Sequence, residues 1–155
     1  MNNTLKLIIS LAVPLMLGGI AGMITQPEIQ TWYNQLNQPG FNPPNWVFAP
    51  VWSLLYILMG VSCYLIWKVP KSKPRDSAIK TYSLQLLLNF TWSFLFFFSH
   101  QIDLAMLEII LLWMCILLMI GRFHKLNKMA AYINIPYLLW VTFATALNIA
   151  YYKLN

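Results

Sequence analysis

Five apolar stretches of about twenty residues, separated by short breaks, leave this chain few ways to fold. They run over Leu5–Gln26, Val47–Val69, Ile79–Ser99, Leu104–Phe123 and Ala130–Lys153. At 1.5 Å per residue, ~20 helical residues cross ~30 Å of hydrocarbon. Only 9% of the residues are charged, whereas a soluble domain carries about a quarter. Too little charge remains to cover a surface facing water, so the solvent is lipid, where a spanning segment must satisfy its backbone internally. The expected fold is all-α: one domain over residues 1–155, an integral membrane bundle of five transmembrane helices with a structured loop over 27–46. The first stretch lacks a small-x-small cleavage site followed by a soluble domain, so it reads as a retained helix.

The breaks carry their own signals. Pro27 is expected to end the first span, and Pro50 falls in the first turn of the second, where a missing N–H costs little. Pro70-Lys71-Ser72-Lys73-Pro74-Arg75-Asp76 separates the second and third. Asp103 is expected to cap the fourth, Asn127-Lys128 precedes the fifth, and Pro136 should bend the fifth. Cys63 and Cys115 lie within apolar runs and form no Cys-x-x-Cys pair, which points to buried cysteines and away from a disulfide framework or zinc knuckle.

The net charge of +6 does not indicate nucleic acid, because the charges are confined to connections between spans. With five spans, Lys6, Lys68, Lys71, Lys73, Arg75, Lys80, Arg122, Lys125 and Lys128 share one side, and Lys153 alone takes the other. The positive-inside rule then puts the N-terminus in the cytoplasm and the first loop and C-terminus opposite. That loop runs through Trp32-Tyr33 into Gln38-Pro39-Gly40-Phe41-Asn42-Pro43-Pro44-Asn45-Trp46-Val47-Phe48-Ala49-Pro50-Val51-Trp52 and holds no charge after Glu28. It is too aromatic for an ordinary aqueous loop and too rich in proline for a span. It reads as a lid over a flat, apolar ligand.

Polar residues within spans tend to face the bundle interior or a cavity. Gln85, Asn89, Trp92, Ser93 and Phe96 form one stripe of the third helix, with Leu86, Leu87, Leu88, Phe90, Leu95 and Phe97 on the lipid face. Trp140, Ala144, Leu147 and Tyr151 form a stripe of the fifth, with Asn148 beside it. Trp52, Tyr56 and Met59 do so in the second. Trp52, Tyr56, Asn89, Trp92, Trp140 and Ala144 together would line an aromatic cavity, with Asn89 donating to a ligand carbonyl or carboxylate. The plain alternative is that the amides join helices to one another and that the aromatics form an interfacial belt. Gly18 and Gly22 make a small-xxx-small pattern suited to a dimer or to packing within the chain.

No hydrolytic set can be assembled. His100 and His124 fall on opposite sides, the acids Glu28, Asp76, Asp103 and Glu108 are scattered, and no residues suggest a metal or a required cofactor. Glu108 is expected to snorkel to the interface, its sharper reading being a proton or substrate path. Photochemistry needs no acid–base pair. Trp52 and Trp140 are candidates for it, because indole is readily oxidised beside a light-absorbing ligand.

The sequence resembles the translocator protein family, also called the tryptophan-rich sensory protein or peripheral-type benzodiazepine receptor family, in its bacterial form. The resemblance rests on Trp32-Tyr33, Asn42-Pro43-Pro44-Asn45-Trp46-Val47-Phe48-Ala49-Pro50-Val51-Trp52, Leu55–Gly60, Gln85–Ser93 and Pro136–Asn148, and it covers all five spans. It implies a homodimeric bundle in a bacterial cell membrane, in contact with lipid and binding no nucleic acid. Its ligands would be tetrapyrroles such as protoporphyrin IX and haem, together with benzodiazepine-site compounds and sterols. By position, Trp52, Asn89, Trp92, Trp140 and Ala144 match pocket residues of the family, and Tyr33, Pro43, Trp46, Tyr56 and Ser93 join them as expected ligand-binding residues. Leu147, Tyr151 and Lys153 fit a weak sterol motif. The implied role is tetrapyrrole sensing or stress response, the alternatives being light-dependent degradation of protoporphyrin IX or carriage of porphyrin or lipid across the membrane.

Overall fold

Helices account for nearly all the ordered backbone of the computed structural model, which describes residues 1–155 and contains no strand. They are α1 (Asn3–Gln30), α2 (Phe48–Trp67), α3 (Lys73–Ser93), α4 (Ile102–His124), α5 (Lys128–Ile133) and α6 (Ile135–Leu154). Four helical segments are long and apolar enough to cross a membrane: Asn3–Gln35, Asn45–Trp67, Ile102–His124 and Lys128–Leu154. In α3 the first turns carry Lys73, Arg75, Asp76 and Lys80, and its apolar part follows them.

Side chains cap the helices where the free N–H groups need acceptors. Asn2 accepts from Leu5 N, Ser72 from Arg75 N and Asn127 from Ala130 N. Pro50 sits in the first turn of α2, as expected. Three boundary expectations fail. Pro27 does not end α1. It lies in the last turn, where its carbonyl accepts from Thr31 N at 3.3 Å and Thr31 Oγ1 at 3.0 Å. Asp103 is not a cap, because α4 begins a residue earlier, leaving Asp103 in the first turn, where its negative charge complements the positive end of the helix dipole. Pro136 does not bend one long helix. The break falls at Asn134, and Pro136 opens α6, where no donor is missed.

A wider π-helical turn over Phe94–Phe98 extends α3, with Ser99 N donating to Phe94 O at 2.9 Å. The extra residue advances the helix phase. Phe97, expected on the lipid face, is therefore buried with Phe96. Leu86 is also buried, packed in the main core, whereas Leu87 remains exposed.

That core joins α2, α3, α4, α5 and α6 through Met59, Leu86, Ile109, Ile116, Ala130 and Val141. At its centre Tyr137 OH donates to Gln85 Oε1 at 2.8 Å. Cys63 and Cys115 are free and buried. Glu108 is 7% exposed, and neither carboxylate oxygen has a hydrogen-bond partner. It turns inward and does not snorkel, since its helix buries it on the same face as Ala105, Ile109 and Leu112.

The ends of the bundle differ. At one, Lys6 Nζ donates to Trp67 O at 3.4 Å and Arg122 donates to Ser77 O at 3.3 Å, so the start of α1, the end of α2, the start of α3 and the end of α4 gather there. At the other, His100 Nε2 lies 2.8 Å from Glu28 and stacks on Trp32 with centroids 4.2 Å apart. The basic residues of the connections cluster at the first end, and the aromatic loop covers the second.

Candidate functional site

The loop between α1 and α2 is shaped by short hydrogen bonds within itself. Tyr33–Gln35 and Asn45–Val47 each form a single tight helical turn. Asn42 N donates to Pro39 O at 2.9 Å, Tyr33 OH to Asn42 Oδ1 at 2.8 Å, and Asn45 Nδ2 to Asn34 Oδ1 at 3.0 Å. The end of α6 holds it from outside: Asn37 N donates to Asn155 Oδ1 at 2.9 Å and Asn155 Nδ2 to Asn37 O at 3.2 Å. Amides and prolines thus do locally what charges would do in a solvated loop.

Beneath this loop lies a cavity of about 750 Å³, within the range of about 300–1,000 Å³ usual for small-molecule sites. Its walls come from α1, α2, the α3 end and α6, while α4 and α5 contribute none. Trp52 and Trp140 stand perpendicular with ring centroids 6.5 Å apart. Phe48 meets Trp140 edge-on at 6.2 Å, and Trp52 stacks on Tyr56 at 5.7 Å. Such aromatic faces suit a planar partner. Trp92 Nε1 donates to Asn148 Oδ1 at 2.9 Å, and Asn148 Nδ2 donates to Ile102 O at 3.2 Å, which fixes that wall to α4. Trp140 Nε1 is buried and has no acceptor. A buried donor is rarely left so.

Tyr33, Trp46, Trp52, Tyr56, Trp92, Ser93, Trp140 and Ala144 all line this cavity. Trp46 stands at its mouth, 74% exposed. Pro43 and Asn89 are not on the wall. Pro43 belongs to the cover. Asn89 lies one layer beneath, accepting from Tyr56 OH at 2.7 Å and donating to Tyr137 OH at 3.0 Å, so it holds the floor. Leu147 and Tyr151 also face the cavity and are buried, whereas Lys153 is exposed. Of the sterol motif, only Lys153 reaches the outer surface.

Sequence reasoning missed the α1 wall. Gly18, Gly19 and Gly22 all line the cavity, and a Cβ on Gly19 or Gly22 would meet nothing within 4 Å. A Cβ on Gly18 would lie 2.4 Å from the Tyr56 ring. The small-residue pattern therefore serves close packing within the chain at Gly18 and open space at the other two. The glycines were visible in the sequence, but their pattern is the same for a helix contact and for a cavity wall.

The stiffness of the cover gives one expectation. Pro43→Ala with Pro44→Ala should lower ligand affinity about threefold to tenfold while the bundle stays folded, at a stability cost of no more than ~1–2 kcal/mol, because a looser loop must be ordered on binding. Equal affinities in a titration of both proteins would show that the prolines do not stiffen the cover.

Residues 10–153 match the model of the TspO/MBR family. The chain is 40% identical over 154 residues to the tryptophan-rich protein TspO of Archaeoglobus fulgidus, covering 99% of each. It is 35% identical over 157 residues to the protein of that name from Chlorobaculum tepidum, covering 98% of this chain and 96% of the other. It is 35% identical over 135 residues to the translocator protein of Bos taurus, covering 85% and 80%. With four helical segments fit to cross a bilayer and this match along nearly its whole length, the chain is an integral membrane protein and belongs to the TspO/MBR family.

Proposed function

We propose that the cavity binds tetrapyrroles, protoporphyrin IX or haem, and that the protein is a membrane receptor acting in tetrapyrrole sensing or stress response. The observation that carries this reading is the unpartnered Trp140 Nε1 on the wall of an aromatic cavity. A porphyrin would lay its ring against Trp52 and Trp92, and a rotation of the Trp140 indole on binding would turn its buried N–H to a propionate. Other flat apolar molecules, benzodiazepine-site compounds and sterols among them, fit the same walls. On this reading α3 with its π-helical extension is a fifth span, the basic end lies in the cytoplasm of a bacterial cell, and the protein is a homodimer. The positive-inside rule supports the orientation, and the family resemblance supports the dimer.

Titration of the purified protein with protoporphyrin IX in the dark tests the proposal. Saturable quenching of tryptophan fluorescence is expected, and Trp140→Phe should weaken binding about tenfold by removing a hydrogen bond to a charged group, ~1.5 kcal/mol. No saturable quenching, or equal affinity in the variant, would refute it.

A second reading, light-driven oxidation of bound porphyrin, is favoured by one observation: the oxidisable rings of Trp52 and Trp140 both face the cavity. The excited ligand takes an electron from the adjacent indole and passes it to dissolved dioxygen, the indole radical recovers an electron from the porphyrin, and the net change is porphyrin oxidised and dioxygen reduced. Trp52→Phe keeps an aromatic wall, so dark binding should persist while bleaching of porphyrin absorbance slows severalfold. An unchanged bleaching rate would remove Trp52 from this role.

A further inference from the structure

A second hollow, of about 620 Å³, lies at the opposite, basic end of the bundle, between α1, α2 and α3. Its lower walls are apolar: Val13, Pro14 and Leu17 from α1, Leu86, Leu87 and Phe90 from α3. Its rim carries Lys71, Arg75 and Asp76. Arg75 is held in place, donating to Val69 O at 3.1 Å and pairing with Asp76 at 3.0 Å, while Lys71 is exposed with no pairing. The rim is therefore net positive. Between rim and apolar walls sit two hydroxyls, Ser10 Oγ and Tyr82 OH, both buried and both without a hydrogen-bond partner. Tyr82 lies two turns along α3 from Arg75, ~10 Å into the bilayer from it.

This ordering of groups, cation above hydroxyl donors above hydrocarbon, matches one kind of molecule. We propose that the groove holds an anionic glycerophospholipid of the leaflet at the basic end. Its phosphate lies at Lys71 and Arg75, where each basic residue near a membrane surface favours negative headgroups. Its glycerol ester carbonyls supply the acceptors that Ser10 and Tyr82 lack. One acyl chain lies along Val13, Leu17, Leu86 and Phe90. The proposal rests on the chain being embedded in lipid and is independent of what the first cavity binds.

Native mass spectrometry of the full chain in detergent, with phosphatidylglycerol or phosphatidylcholine added, tests it. The protein should retain one phosphatidylglycerol in preference to phosphatidylcholine. Lys71→Gln, an exposed change that spares the fold, should cut that preference about fivefold, as for the loss of one surface charge. Tyr82→Phe keeps the ring and should lower retention of both lipids alike. Equal retention of the two lipids, unmoved by either variant, would overturn the proposal. So would disulfide-linked dimers of Ser83→Cys with no lipid retained, which would mean that a second copy fills the groove.

Discussion

Gly60→Val is expected to separate α1 from α2 and leave little assembled protein. A Cβ at position 60 would lie 2.7 Å from the carbonyl oxygen of Ser10 and 3.0 Å from Leu11 Cα, both on α1. Backbone cannot move aside as a flexible side chain can, so the two helices must part. The same carbonyl is the one that Pro14 deprives of its usual helical donor, and the bare glycine lets α2 close over it. Overpacking of this kind costs about 3 kcal/mol, a large share of a marginal stability. The denaturant midpoint for loss of helical circular dichroism should fall sharply for Gly60→Val, and size-exclusion should show aggregation. Gly121→Ala is the control, since a Cβ there meets nothing within 4 Å. It should be neutral or slightly stabilising. A Gly60→Val protein with an unchanged midpoint would show that α1 and α2 do not pack as described.

Asn89→Leu is expected to weaken the protein and, indirectly, its ligand site. Asn89 joins Tyr56 on α2 to Tyr137 on α6, and Tyr137 passes the chain to Gln85. Hydrogen bonds between membrane helices are worth ~0.6 kcal/mol each, but an orphaned buried hydroxyl costs ~1–3 kcal/mol. Leucine keeps the volume and strands the Tyr56 hydroxyl, so a loss of about 2 kcal/mol follows. Tyr56→Phe removes the stranded group. The double variant should then be more stable than the sum of the two single effects allows, by ~1 kcal/mol. Strict additivity would mean that the two side chains do not interact. Because Asn89 holds Tyr56 against Trp52 and Gly18, the single variant should also lower porphyrin affinity while leaving the Trp140 donor in place. An Asn89 that donated to ligand directly would instead show the affinity loss with stability unchanged.

The contrast between Asn89 and Trp140 shows what the sequence could convey. Helical periodicity put Asn89, Trp92 and Trp140 on inward faces, and each is inward. Periodicity fixes direction but not depth. Whether an inward amide meets a ligand or a neighbouring hydroxyl depends on how closely the helices approach, and that is set by Gly18 and Gly60 against their opposite partners. A regular helix would put Phe97 on the lipid face, and the π-helical turn shifts it inward. Pro136 marked a discontinuity correctly but misplaced it by two residues, since a proline that starts a helix looks the same as one that bends it. The α1 wall of the cavity was hidden for a related reason. A glycine leaves no side chain to betray what it faces.

A ligand seated against Trp140 beneath the loop would be reported directly by the indole N–H groups. In ¹⁵N-indole-labelled protein each tryptophan gives one N–H signal. Trp140 Nε1 has no acceptor, while Trp113 Nε1 donates to Thr142 Oγ1 at 2.8 Å and Trp113 does not line the cavity. Adding protoporphyrin IX in the dark should move the Trp140 signal downfield as it gains a charged acceptor and leave Trp113 in place. A shift at Trp113 with Trp140 unmoved would place the ligand elsewhere and contradict the account.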